Sequence, residues 1–247
     1  MSRRLRHVPK AEPYEAGTLV EVTCRTIHGR YLLRPSDELN EIVIGVLGYA
    51  QQSCPISICG ITVASNHYHL LAVVKETKEL SDFMCLFNSN LAREVGRLVD
   101  WPDKVWARRY QGIVVSSEEE AQIKRLKYLL AHGAKEALVD HPEKWPGVNS
   151  VRALLHGEAL SGYWFDRTKE YRARRRGKKF DRLQFATEMK VKIDPLPCWR
   201  GLDPEEVQHR VVGMIDEIVK ESTVGKRWER RLPAGSWAQP THGRFAS

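Results

Sequence analysis

The apolar positions of the chain recur with two periods, about two and about 3.6 residues, and the switches between them predict the elements. GTLVEVTCRTI (17–27) alternates β-branched and polar residues and predicts a strand, followed by the loop HGRYLLRP (28–35). SDELNEIVIGVLGYAQQ (36–52) carries apolar residues at helical spacing behind Ser36 or Asp37 as N-cap. PISICGITVA (55–64) and HYHLLAVV (67–74) predict two strands joined at Ser65-Asn66, a hairpin. ELSDFMCLFNSNLAREVGRLVD (79–100) predicts a long amphipathic helix, and KVWARRYQGIVVS (104–116) a further strand. In SSEEEAQIKRLKYLLAHGAKEALVD (116–140), Ser117 and Glu120 form a capping box ahead of a helix that Gly133 can stop. The order β-α-β-β-α-β-α predicts an α+β fold, an antiparallel sheet with helices packed on one side.

Beyond HPEKWPGVNS (141–150) the pattern changes. WFDRTKEYRARRRGKKFDR (164–182) is dense in charge, KIDPLPCWRGLDPEE (192–206) is rich in proline, and PEEVQHRVVGMIDEIVKES (204–222) predicts a last helix. The tail RRLPAGSWAQPTHGRFAS (230–247) has the composition of a disordered segment. The expected organisation is a flexible basic start (1–16), a folded domain (17–150) and a basic, partly helical extension (151–247). No internal repeat is evident.

Composition adds a partner class. Lysine and arginine outnumber acids 39 to 31 over 247 residues, a formal charge of +8 and a pI near 9.3, which favours a polyanion. Five cysteines, odd in number and without a C-x-x-C pair, predict free thiols in a reducing compartment. No apolar run approaches a membrane span, and the basic N-terminus lacks the apolar core of a signal peptide, so a cytoplasmic protein is expected.

The chemistry centres on HYHLLAVV. On a strand His67 and His69 share one face while Tyr68 points to the other, about 7 Å separating same-face neighbours. Two readings are open: a divalent cation shared by two imidazoles, which needs a third ligand, or histidines that simply hydrogen-bond near a hairpin end. On the 116–140 helix, Ile123, Leu126 and Leu130 form the apolar stripe. Tyr128 and His132, four apart, lie roughly opposite it, with Lys124, Arg125 and Lys135 on the same side. An aromatic there either packs under the extension or acts in solvent. A tyrosine with a cation nearby can attack phosphate, and His132 can complete a three-histidine shell. Those imidazoles must be neutral to ligate, so activity is expected to fall as pH drops through about 6 to 6.5.

For contact with such a polyanion, RARRRGKK places Arg172, Arg174, Arg175, Arg176, Lys178 and Lys179 in eight residues, either phosphate contacts or a solvated charged helix. Tyr171, Phe180 and Trp164 flank the run, as stacking platforms or, for Trp164 above all, as core. Arg108 and Arg109 are further candidates for contact with the polyanion. Trp101, Trp106, Trp145 and Trp199 are read as packing residues. His28, His141, His156 and His209 have no partner spacing and default to surface or structural roles.

SNHYHLL resembles the His-hydrophobic-His (HUH) signature of single-tyrosine endonucleases, and IKRLKYLLAHGAKEALV resembles the later helix that carries their tyrosine. In motif order and spacing, residues 17–150 resemble the REP-associated tyrosine transposases. The resemblance implies an HUH endonuclease fold with a ferredoxin-like arrangement, and metal-dependent single-strand DNA cleavage and strand transfer. His67 and His69 match the metal ligands, and Tyr128 matches the nucleophile that forms a 5′-phosphotyrosine. His132 stands where the family has Asn or Gln, which moves the expected cation from Mg2+ towards Mn2+. The implied partner is single-stranded or hairpin DNA, bound by a monomer or homodimer at the nucleoid. A domesticated protein that binds DNA repeats without cleaving them is the alternative, and an unrelated H-x-H metal hydrolase a third reading.

Overall fold

A computed structural model of the chain describes residues 8–9, 17–177 and 181–229. The tail 230–247, Lys178, Lys179 and most of the basic start lie outside the described residues.

The fold is α+β. Four antiparallel strands, β1 (Thr18–Arg25), β2 (Ser57–Ala64), β3 (His67–Val74) and β4 (Gln111–Val114), form a sheet of order β2-β3-β1-β4. Helices α1 (Asp37–Ser53) and α2 (Thr77–Leu98) connect the strands in a β-α-β-β-α-β sequence. Ser36 caps α1, its side chain accepting from the Leu39 amide. The hairpin β2–β3 turns at Ser65-Asn66 as the alternation requires.

Helices cover both faces of this sheet rather than one. The reason is visible in β2 and β3, where seven of eight residues in each strand are buried, so each is an apolar run with two faces to cover. Tyr68, Leu70, Ala72 and Val74 pack with α1 and α2, whereas Leu71 and Val73 pack with Leu126, Leu129 and Leu130 of α3 (Glu119–Leu130).

Two predicted elements differ. The strand expected over 104–116 pairs only at Gln111–Val114. Its first half is anchored instead by the isolated Thr26–Trp106 bridge and by Trp106 Nε1 donating to the Asn88 carbonyl. The helix expected over 116–140 begins at Glu119, and Ser117 does not cap it. The Ser117 carbonyl accepts from the Gln122 side chain instead. At Ala131 the helix breaks and restarts as α4 (His132–Lys135). Gly133 is therefore no stop. It is a close approach, because a Cβ there would lie 2.7 Å from the Trp145 ring.

The region after 150 holds more order than its charge suggests. Following α5 (Val151–His156), β5 (Leu160–Phe165) and β6 (Ala186–Val191) form an antiparallel ribbon on the outer side of α1. Gly45 and Gly48 of α1 permit this: a Cβ on Gly45 would overlap the Tyr163 backbone, and one on Gly48 would meet the Met189 side chain at 2.6 Å. Trp164 stacks on Tyr49 with ring centroids 4.2 Å apart, a packing role. α6 (Arg167–Arg175) is tied to α2 by Arg167, which bonds Glu94 and Glu170. Burial alone would lower the Arg167 pKa, but its bonds to Glu94 and Glu170 outweigh that and raise it. Finally α7 (Pro204–Glu229) lays Val211, Met214, Ile215 and Ile218 against Leu126, Leu129 and Leu130, with Leu196 and Trp199 in the same cluster. All five cysteines are free thiols. Among the described residues no helix is long and apolar enough to cross a membrane.

Candidate active site

β3 presents His67 and His69 on the α3 side of the sheet and sends Tyr68 to the other side. The break at Ala131 then turns α4 so that His132 faces them. Its ring centroid lies 4.7 Å from that of His67 and 5.3 Å from that of His69. One nitrogen from each of the three rings falls within 4.8 Å of the others, a spacing that one cation can bridge.

The rings are held from behind. Nδ1 of His67 donates to Asn66 Oδ1 at 2.6 Å, and the Asn66 amide is itself set by donation to the Gly29 carbonyl. Nδ1 of His69 donates to Glu21 Oε1 at 2.9 Å. In both rings this leaves Nε2 as the atom available to a cation, the arrangement of an imidazole oriented by an outer hydrogen bond. Glu21 is only 3% exposed, on β1 diagonally across from His69, and its other oxygen meets Arg125 Nη1 at 3.0 Å.

Electrostatics keep the rings ready. Burial pushes His67 down to about 3, helped by His132, His69 and Arg25, and burial followed by His69 lowers His132 as well. These two imidazoles are neutral throughout the physiological range, and the pH window expected from free histidine, about 6 to 6.5, moves lower. The donor set is three imidazoles. It suits Mn2+, Co2+ or Zn2+ better than Mg2+, which prefers oxygen.

Tyr128 lies on the last turn of α3, 38% exposed, with its ring centroid 5.6 Å from that of His69. Lys135 Nζ stands 5.0 Å over the Tyr128 ring, and Lys124 is exposed one turn earlier on the same helix face. The extension secures this helix from outside, since Lys127 pairs with Glu217 and Glu221 of α7. Gly60 at the β2 bulge lets α3 approach, because a Cβ there would crowd Leu126 at 3.2 Å.

The other DNA candidates lie elsewhere. Arg109 bonds Ser81 of α2, and α6 with Arg172, Arg174 and Arg175 is tethered to Glu94 of α2, both on the face of the sheet away from the histidines. Arg174 bonds Glu170, Arg175 stands 6.0 Å over Tyr171, and Arg176 caps the end of α6. Sequence reasoning missed Glu21 and Arg25. Arg25 pairs with His67 in the β1–β3 register, so strand pairing was the signal that would have found it. A lone acid among the valines of GTLVEVTCRTI was the signal for Glu21, since a buried carboxylate requires a partner.

No curated protein matches the chain. Among solved structures, a REP-associated tyrosine transposase bound to a REP hairpin is similar over 64% of this chain and 87% of that one, at 16% identity and a TM-score of 0.48. A protein assigned as a transposase from Deinococcus radiodurans R1 is similar over 51% of this chain and 94% of that one, at 18% identity and a TM-score of 0.35. Residues 29–129 match the family model described as "Transposase IS200 like". That stretch contains His67, His69 and Tyr128 and stops short of Glu21 on one side and His132 on the other. Residues 29–129 of this chain are thus similar to the IS200-like transposases, a likeness that covers less than half of the chain.

Proposed function

We propose that this protein cleaves and rejoins single-stranded DNA beside a hairpin, with Tyr128 as nucleophile and a divalent cation on His67, His69 and His132. The observation that carries the reading is the meeting of an exposed tyrosine ring with three mutually close imidazoles whose outer nitrogens are, for two of them, already engaged.

His67, His69 and His132 would hold the cation, which when bound would supply Lewis-acid charge to the phosphate and its departing oxygen. The remaining work falls to the chain. Asn66 and Glu21 orient His67 and His69, and Arg125 ties Glu21 to the tyrosine helix. Lys135, above the ring, and Lys124, one turn away, offer positive charge to the phosphate and the developing phenolate. The Tyr128 oxygen attacks phosphorus, its proton passing to water, and the P–O3′ bond breaks. The 3′-oxygen leaves and takes up a proton, and the downstream strand stays on Tyr128 through its 5′-phosphate. Attack by another 3′-hydroxyl reverses the step and restores the tyrosine, so no external energy source is needed. A DNA substrate places the protein in the cytoplasm with the nucleoid.

The test is label transfer on a denaturing gel, using hairpin DNA labelled at the 5′ or the 3′ end, Mn2+, and wild type beside Tyr128→Phe. An adduct carrying only the 3′-labelled fragment, absent in the variant, is expected. DNA binding without any adduct would make the protein a non-cleaving DNA-repeat binder instead.

A further inference from the structure

The face of the sheet away from the histidines carries a groove of about 470 Å3, walled by α2 and by the segment that leads into the edge strand β4. Its floor is apolar at Met84, and Trp106 and Tyr110 supply aromatic surface. Among the described residues, Arg108 and Arg109 are the only charged ones that line it, and both are exposed. Arg109 Nη2 bonds Ser81 Oγ at 3.1 Å, and its guanidinium lies over the Tyr110 ring at 5.0 Å. A cationic group is thus already held over an aromatic ring.

Asn88 gives the groove a directional polar group. Tyr68, the residue between the two histidines, reaches through to this side and donates its hydroxyl to Asn88 Oδ1 at 2.6 Å. Trp106 Nε1 donates to the Asn88 backbone carbonyl at 2.9 Å. With Oδ1 occupied, the orientation of the carboxamide is set, and its amino group is the side left for the groove that Asn88 lines.

Apolar floor, aromatic walls, a guanidinium plane, one oriented amide donor and no acid are the chemistry of a nucleobase with its phosphate. We propose that this groove binds an unpaired base of the DNA, stacked at Tyr110 and Arg109 and accepting a hydrogen bond from Asn88 Nδ2, with the flanking phosphates on Arg108 and Arg109. The inference rests on the DNA reading above and adds a second contact on the opposite face. Because β4 is the edge strand, one DNA chain reaches both faces by passing around that edge.

Cys85 on the groove wall is an exposed thiol and serves as the reporter. The rate of its alkylation by a maleimide is read by mass spectrometry with and without an oligothymidine, whose bases are unpaired and carry carbonyl acceptors. Protection of about fivefold or more, lost in Arg109→Gln and in Tyr110→Ser, is expected. An unchanged alkylation rate overturns the proposal, whether the oligothymidine binds elsewhere, as read by anisotropy, or does not bind at all. Protection that survives both substitutions also overturns it. The two readings fail separately. A Tyr128 adduct with Cys85 unprotected removes the groove and keeps the cleavage. Protection without an adduct removes the cleavage and keeps the groove.

Discussion

Glu21 on β1 joins His69 to Arg125: one carboxylate oxygen lies 2.9 Å from the imidazole Nδ1 and the other 3.0 Å from the guanidinium of the tyrosine helix. A buried acid that contacts both a candidate metal ligand and the helix bearing the nucleophile sets two geometries at once. Glu21→Gln keeps the shape and removes the charge. Cation affinity is expected to fall roughly 10- to 100-fold, measured by Mn2+ titration in electron paramagnetic resonance. If affinity holds while only the melting temperature moves, Glu21 is a structural staple and nothing more.

His132 sets the choice of cation. Replacing it with Gln exchanges an imidazole for an amide oxygen, a donor Mg2+ accepts more readily. Adduct formation by His132→Gln is expected to gain on Mg2+ relative to Mn2+, while wild type with a chelator gives none. An unchanged Mg2+-to-Mn2+ ratio would place His132 outside the metal shell.

The acid limb of activity should sit low. A histidine whose folded pKa lies below its unfolded value, about 6.5, leaves the unfolded chain holding more protons between those two values. For His67, pushed to about 3, the metal-free protein therefore loses stability as pH falls from about 6.5 towards 3. The DNA adduct is expected to form undiminished from pH 7 to pH 6, and thermal melts of the metal-free protein should slope downward below pH 6. His67→Asn should flatten that slope, and a wild-type adduct halved by pH 6 would contradict the sheltered site.

Gly45 tests how the ribbon is attached. An exposed helical glycine changed to alanine gains stability, about 0.5–1 kcal/mol. Here the new methyl meets the Tyr163 backbone, so Gly45→Ala should lose about 1–3 kcal/mol or more in urea denaturation.

The parts legible in the sequence were those with local causes. The β2–β3 hairpin follows from alternation and a polar turn, α1 from spacing and Ser36, and the facing of His67 and His69 from strand geometry. What escaped depends on distant partners. Glu21 matters only because β1 lies beside β3 and beneath α3. Capping at Ser117 gave way to Gln122, which holds the Ser117 carbonyl with Nε2 and the Cys198 amide with Oε1. The β5–β6 ribbon was masked by the charge of the α6 region between its strands. Its clue was a pair of helical glycines that the spacing of α1 alone did not require.

The apolar stripe of α3 has one further consequence. Leu126, Leu129 and Leu130 touch the sheet on one side and α7 on the other, so the family-matched stretch and the extension share a single core. Cooperative unfolding follows shared core, not sequence similarity. Calorimetry should therefore record one transition for both segments, and a chain cut at residue 150 would expose the leucines that hold the tyrosine helix and aggregate rather than fold as a smaller enzyme.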